Sequence, residues 1–128
     1  MIIFIPLGGI GQRFKDNGYT KPKALINVFG KPILYYLLDN LNTKENLVYI
    51  SYNIEYKHFR FEDMLKKSYP NIHFKFFCLK KNTRGAAETI KISLTHLNND
   101  DCPILCLDGD NFYDIDIINL WNGHNRIF

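Results

Sequence analysis

The amino-acid sequence predicts an α/β fold, a three-layer α/β/α sandwich around a mostly parallel sheet. Short apolar runs alternate with longer segments whose apolar residues recur at helical spacing, an order typical of right-handed crossovers between parallel strands. The 128 residues, 46% of them hydrophobic and 23% charged, suit one globular domain over 1–128. The chain contains no internal repeat, low-complexity segment or linker that would divide it.

The first three elements follow from the local pattern. Residues 2–6 form a continuous apolar run that ends in glycines, as expected of a strand buried on both faces. "PILYYLLDNL" predicts a helix over 32–41, with Pro32 at the first position, because its missing N–H would be unpaired there. "NLVYISY" predicts a second strand over 46–52.

The middle of the chain predicts a helix and a third strand. Over 55–67, Glu62 and Asp63 precede Lys66 and Lys67 at the end, which complements the helix dipole, and Pro70 follows as a stop. "IHFKFFCL" over 72–79 has the partial alternation of a strand.

The last third contains the clearest amphipathic helix, "GAAETIKISLTHL" over 85–97. Its predicted apolar face consists of Ala87, Ile90, Leu94 and Leu97. "PILCLD" predicts a fourth strand over 103–108, and a short helix is expected over 115–121.

Two polar loops follow strands of this sheet and are expected to form one site. The glycine loop follows strand 2–6, and "DGDNFY" follows strand 103–108. In parallel sheets, ligands bind beyond the carboxyl ends of the strands, where the strand order changes direction. Both loops are therefore predicted at the same edge.

The glycine loop lies in "PLGGIGQRFKDNGYTKPKALINVFGKP", over 6–32, and fits one of three phosphate motifs. A P-loop is excluded because GxxxxGK[ST] has no match. The dinucleotide pattern GxGxxG has Phe14 where its third glycine should allow close packing. The remaining pattern is GGxGxR followed by KPKxL and GKP, in which backbone N–H groups and cations would surround phosphate oxygens. The alternative, a glycine-rich turn with solvated cations, fits poorly with three such motifs in register.

These motifs resemble those of the sugar-phosphate nucleotidyltransferases, the pyrophosphorylases that make nucleotide-sugars. The similarity is carried by "IPLGGIGQRF", "GYTKPKALINVFGKPIL", "TRGAAETI" and "LCLDGDNFYD", and is greatest toward the branch of capsule and surface-polysaccharide pathways. It implies the N-terminal, nucleotide-binding half of that Rossmann-like fold. Family members are usually much longer, and their second half supplies the sugar-phosphate pocket.

The resemblance also implies roles for individual residues. Arg13 and Lys23 would be catalytic: Arg13 would bind the β- and γ-phosphates, and Lys23 would lie near the α-phosphate and the sugar phosphate. Asp110 would hold Mg²⁺, although from the residues alone Asp108 and Asp110 could instead cap a helix. The implied nucleotide-binding residues are Leu7, Gly8, Gly9, Gly11, Arg13, Gly85, Ala86 and Asp108.

The implied reaction transfers a nucleoside monophosphate from a nucleoside triphosphate to a sugar phosphate, or a similar phosphorylated small molecule, with release of pyrophosphate. The base is open among CTP, UTP, dTTP and GTP. Two alternatives are a non-catalytic nucleotide-binding fragment or subunit, and a glycosyltransferase of the related fold. We expect a homo-oligomer or a completing second chain as further partners.

Composition excludes other classes. The net charge of +3 is mild and its lysines and arginines are dispersed, so we expect no binding to nucleic acid or membranes. The apolar start is too short for a signal peptide or a membrane span. Without a CxxC motif or clustered histidines, zinc is not expected. Buried, reduced thiols in a cytoplasmic protein are the interpretation of Cys78, Cys102 and Cys106.

Overall fold

The computed structural model describes residues 1–9, 11–97 and 102–120. In chain order its strands and helices are β1 Ile2–Leu7, α1 Gln12–Asp16, β2 Asn27–Val28, β3 Lys31–Pro32, α2 Ile33–Asn40, β4 Leu47–Asn53, α3 Phe61–Ser68, β5 His73–Leu79, α4 Ala86–Leu97, β6 Ile104–Cys106 and α5 Ile117–Leu120. Two 3₁₀ turns cover Lys23–Leu25 and Ile54–Phe59.

Four strands form one parallel sheet in the order β5-β4-β1-β6. From β1 the chain moves outward to β4 and β5, then returns past β1 to β6. The strand order therefore changes direction at β1, and the loops that follow β1 and β6 lie at that point. The predicted α/β class and parallel sheet are confirmed.

The sheet is covered on both faces, which confirms the three-layer architecture. On one face, α2, α3 and α5 pack against β1 and β4 in the larger apolar cluster, which includes Ile5, Leu34, Leu65 and Ile117. On the other face, Leu97 of α4 packs with Phe4 and Tyr49. These buried side chains hold the strand ends that carry the loops.

Helix α4 packs through three of the four predicted residues, Ile90, Leu94 and Leu97, and its buried face extends further than predicted toward Thr89 and Ser93. Ala87 is exposed, and Ile90 and Leu94 are half-buried, whereas Thr89 and Ser93 are buried together with Leu97. The helix lies close to the glycine loop and to Tyr49, whose hydroxyl donates to the Ser93 carbonyl at 2.7 Å. Two small polar side chains, Thr89 and Ser93, therefore extend the buried face beyond the predicted apolar stripe. Burial also raises the pKa of Tyr49 to about 12.

The predicted helix over 55–67 is two elements. Arg60 has a φ of 50°, which separates the turn Ile54–Phe59 from α3. Asn53 caps the turn, because its side chain accepts from the Glu55 backbone N–H at 3.1 Å.

Several predicted boundaries also move. Pro32 precedes α2 instead of opening it, β6 is shorter than the predicted strand over 103–108, and α5 begins at Ile117. Trp121, at the predicted end of the last helix, lies outside the described residues. Helix α1 and the hairpin of β2 and β3 were not predicted.

The cysteines are free, but none of the three is fully buried as predicted. Cys78 and Cys102 are half-buried, and Cys106 is exposed. Cys106 is exposed because it lies on β6, which pairs with β1 along one side and forms an edge of the described sheet. Within the described residues, no helix is long and apolar enough to cross a membrane.

Candidate functional site

The glycine loop and the loop after β6 meet at the same edge of the sheet. The Leu107 backbone N–H donates to the Phe4 carbonyl at 2.8 Å and continues the pairing of β6 with β1. Gly109 then lies so close to the end of β1 that a Cβ there would be 2.5 Å from Leu7 Cδ2. A side chain at position 109 would force Leu7 to move, so glycine favours this close approach of the two loops.

A cavity of about 150 Å³ opens between these loops. Lys23 and Asp110 both line it, and Lys23 Nζ lies 2.6 Å from Asp110 Oδ2. Their side chains are 42% and 40% exposed, so each charge can also be reached by a ligand. The cavity is lined by Pro6, Leu7, Gly9, Gly11, Lys23, Ala24, Tyr56, Asp108, Gly109 and Asp110.

The 3₁₀ turn Lys23–Leu25 positions the lysine. Gly11 has a φ of +61°, and a Cβ at Gly11 would lie 3.5 Å from Lys23 Cβ, so the glycine loop packs directly on this turn. Tyr56 is 2% exposed and receives the Ala24 backbone N–H at 3.4 Å. Burial raises the pKa of Tyr56 above its usual value, so its hydroxyl is neutral at physiological pH.

Arg13 is a predicted site residue that lies outside both cavities of the site. It is exposed on α1, and its carbonyl accepts from Asn17 Nδ2 at 2.7 Å. Among the described residues that line the two cavities of the site, Arg13 is absent. Its role toward phosphate therefore stays a prediction.

A second cavity, of about 320 Å³, lies beside the first and shares Pro6, Gly9 and Asp108 with it. It brings Gly8 of the glycine loop together with Gly85 and Ala86 at the start of α4. A Cβ at Gly8 would lie 2.3 Å from Thr89 Oγ1, so the glycine allows α4 to approach the loop. The cavity is lined by Pro6, Gly8, Gly9, Asn82, Thr83, Arg84, Gly85, Ala86, Thr89 and Asp108.

Sequence reasoning missed two asparagines at this site. Asn53 ends β4 and is 2% exposed, and its Nδ2 donates to the Gly8 carbonyl at 3.4 Å and to Asn82 Oδ1 at 2.8 Å. One signal was available in the sequence, because Asn53 is a polar residue directly after a long apolar strand. Its partners could not be read from the sequence.

Comparison with known proteins identifies the family. The family model described as nucleotidyl transferase matches residues 3–126. The chain belongs to the nucleotidyl transferase family. A search of the curated proteins finds no match to this nucleotidyl transferase.

Solved structures share the fold of this nucleotidyl transferase. A nucleoside-diphosphate-sugar pyrophosphorylase from Vibrio cholerae is 23% identical with a TM-score of 0.73, over 93% of this chain and 53% of that one. HddC from Yersinia pseudotuberculosis is 22% identical with a TM-score of 0.64, over 94% and 52%. The inositol-1-phosphate CTP transferase from T. maritima is 16% identical with a TM-score of 0.68, over 88% and 45%.

The comparisons confirm the predicted family and fold. The chain spans about half the length of these solved structures, which agrees with the prediction of an N-terminal half. At these identities the likeness establishes the fold, and the roles of the individual site residues remain predictions.

The two aspartates of this nucleotidyl transferase suit a magnesium ion. Asp108 and Asp110 are both exposed and line the first cavity. Within 1–9, 11–97 and 102–120, no group of three or more His, Cys, Asp or Glu side chains is placed to hold a metal. Mg²⁺ needs no such group, because it commonly takes one or two carboxylates and completes its shell with water and phosphate oxygens.

Negative charge at this loop also acts on a neighbouring thiol. Burial around the sulfur and then the charge of Asp108 raise the pKa of Cys106, although the residue as a whole is exposed. The thiol therefore reports on the electrostatic potential beside Asp108.

Proposed function

We propose that this nucleotidyl transferase binds a nucleoside triphosphate across the two cavities and transfers its nucleoside monophosphate to a sugar phosphate or a similar phosphorylated small molecule. Pyrophosphate is the second product. Such a reaction supplies nucleotide-sugars, and we assign it to surface-polysaccharide precursors on the strength of the sequence motifs.

The observation that carries this proposal is the meeting of the two loops around Lys23 and Asp110. A lysine ammonium and a carboxylate 2.6 Å apart provide, in one cavity, a cation for phosphate and an anion for Mg²⁺. The glycine loop beside them offers backbone N–H groups to anionic oxygens. Family membership supports the general reaction class.

The reaction needs positioning and charge stabilisation more than a protein nucleophile. A phosphate-monoester oxygen of the acceptor attacks the α-phosphorus in line, while the bond to pyrophosphate breaks. Lys23 would place positive charge beside the phosphates as negative charge shifts onto the leaving group. Removal of one such stabilising group costs about 3–4 kcal/mol in other enzymes.

Asp110, with Asp108 two residues before it, is the proposed holder of Mg²⁺. The ion would neutralise phosphate oxygens when bound. Arg13, on exposed helix α1, is proposed to bind the β- and γ-phosphates from outside the cavity. Gly85 and Ala86 are proposed to lie against the uncharged part of the nucleotide in the second cavity.

The proposed setting is the cytoplasm, since the three cysteines are free thiols and thiols persist in reducing compartments. We propose no nucleic-acid or membrane partner. A homo-oligomer or a completing second chain remains our proposal for the acceptor side.

A second candidate is a non-catalytic nucleotide-binding module. It is favoured by the two cavities, which bring together groups suited to a nucleotide around Lys23 and Gly85. Such a module would keep the loops around Lys23 and lack turnover by itself.

The two candidates separate in one experiment. Pyrophosphate release is measured with each nucleoside triphosphate and Mg²⁺ across a panel of sugar phosphates, and nucleotide binding is measured in parallel by calorimetry. Turnover supports the transferase. Saturable binding without turnover supports the binding module, and the absence of binding contradicts both.

A further inference from the structure

Asn53 connects three strand ends at the proposed site. It is the last residue of β4, and it contacts Gly8 after β1 and Asn82 after β5. Its own Oδ1 accepts from the Glu55 backbone N–H at 3.1 Å. A side chain that is 2% exposed and fully hydrogen-bonded has one defined orientation.

Two backbone groups fix which end of the Asn53 amide points where. The Gly8 carbonyl can only accept, and the Glu55 N–H can only donate, so Nδ2 must face Gly8 and Oδ1 must face Glu55. The same Nδ2 donates to Asn82 at 2.8 Å, so Asn82 must accept this hydrogen bond with its Oδ1. Asn82 is left with its amide Nδ2 as the group that it can offer to a bound molecule.

Other side chains that line the second cavity donate their hydrogen bonds within the protein. The hydroxyls of Thr83 and Thr89 lie 2.6 Å apart, and both are within hydrogen-bond distance of the Gly85 carbonyl. With one hydrogen each, the two hydroxyls satisfy one another and that carbonyl. Arg84 is paired with Glu88. Of the described side chains lining this cavity, Asn82 thus contributes the free neutral donor.

The proposed function puts the uncharged part of the nucleotide in this second cavity. The first cavity has Lys23 and Asp110, the groups suited to phosphates and their metal ion. The two cavities share Gly9, so a ligand with phosphates in the first extends past the glycine loop into the second.

We propose that Asn53 holds Asn82 as a hydrogen-bond donor and that Asn82 thereby selects a base with a carbonyl at its recognised edge. The preferred bases are uracil, thymine and guanine, which have a carbonyl at pyrimidine C4 or purine C6. The disfavoured ones are cytosine and adenine, which have an amino group at the same carbon. This inference rests on the proposed nucleotide binding and adds the class of base.

Two matched ligand pairs test it: UTP against CTP, and GTP against ATP, each with Mg²⁺ in calorimetric titrations. The ratio within a pair cancels the contribution of the phosphates. In at least one pair the unmodified chain should bind the carbonyl-bearing member about tenfold more tightly, the size expected for one well-made hydrogen bond against a donor–donor clash.

Asn82→Asp keeps an acceptor for Asn53 Nδ2 and replaces the free donor with a carboxylate oxygen. The added charge acts on the same triphosphate in both members of a pair, so the ratio within the pair reports on the base and should fall to one or below. Asn53→Asp keeps the acceptor for Glu55 but turns Asn82 around, because the new carboxylate attracts the Asn82 amide N–H. Its ratio should invert toward the amino-bearing base. Asn46→Asp is the control: Asn46 contacts the N-terminal amine and the Lys44 carbonyl at the start of β4, and its ratio should not change.

Equal binding within both pairs, or an unchanged ratio in Asn82→Asp, overturns the inference while leaving nucleotide binding intact. If no nucleoside triphosphate binds, the proposed function fails and the inference fails with it. Because Asn82 is exposed, its variant decides the matter even if Asn53→Asp does not fold.

Discussion

Lys23 Nζ lies 2.6 Å from Asp110 Oδ2, although the two residues are 87 positions apart in the chain. A second ion pair, outside the site, has the same atomic distance of 2.6 Å, between Lys31 Nζ and Asp39 Oδ2. The exposures also match, at 42% and 40% for the first pair and 37% and 38% for the second. The two pairs differ in location more than in chemistry, so the second supplies controls for the first.

Asp110→Asn should weaken divalent-cation binding by about tenfold or more, because it removes the charge proposed to hold the ion. The measurement is Mn²⁺ binding followed by electron paramagnetic resonance, which needs no turnover. Asp39→Asn should bind Mn²⁺ as the unmodified chain does. Equal affinity in both variants would show that Asp110 is not the ligand.

Gly8→Ala should destabilise the fold by about 1–3 kcal/mol, the usual cost of overpacking. The new Cβ would lie 2.3 Å from Thr89 Oγ1 and 2.7 Å from Thr89 Cγ2. Gly9→Ala, one residue later, meets nothing within 4 Å and should change stability by less than about 0.5 kcal/mol. Urea unfolding of the two variants measures the difference, and similar losses would contradict this packing.

The thiol of Cys106 should react slowly with iodoacetamide near pH 8, and Asp108→Asn should speed the reaction. Burial and the Asp108 charge raise the pKa of this thiol, which lowers the thiolate fraction at a given pH below that pKa. Removal of the charge lowers the pKa and increases the thiolate fraction. Peptide mass spectrometry follows the alkylation of Cys106, with Cys78 as an internal reference. A rate at Cys106 that does not respond to Asp108→Asn would refute the coupling.

Arg13→Ala should weaken binding of a nucleoside triphosphate by about tenfold and leave the monophosphate nearly unchanged, since the proposed contact is to the β- and γ-phosphates. Calorimetric titration with both ligands measures the split. Lys67→Ala removes an exposed cation from α3 and should affect neither ligand. Unchanged triphosphate affinity in Arg13→Ala would remove Arg13 from the site.

The parallel sheet and the proximity of the two loops could be predicted from the sequence alone. Strand β1 is apolar at nearly every position, and the rule that parallel strands present their carboxyl ends at one edge brought Gly9 and Asp110 together. These features depend on local pattern and on topology, and both can be read from the order of residues.

The remaining features depend on tertiary contacts that no local pattern encodes. The buried face of α4 includes Thr89 because the helix packs against Gly8, and apolar spacing could not predict a buried polar residue there. Asn53 looked like the end of a strand, and its link to Asn82 exists only once β4 and β5 are adjacent. Arg60 interrupts the predicted helix because its backbone adopts a positive φ.

The central claim, that the cavity at Lys23 holds a triphosphate, is tested most directly by one calorimetric comparison. Lys23→Met and Lys31→Met are titrated with Mg²⁺ and whichever of UTP, dTTP, CTP and GTP binds the unmodified chain most tightly. We expect Lys23→Met to lose about tenfold or more in affinity and Lys31→Met to bind like the unmodified chain. Equal affinities in the two variants would contradict it.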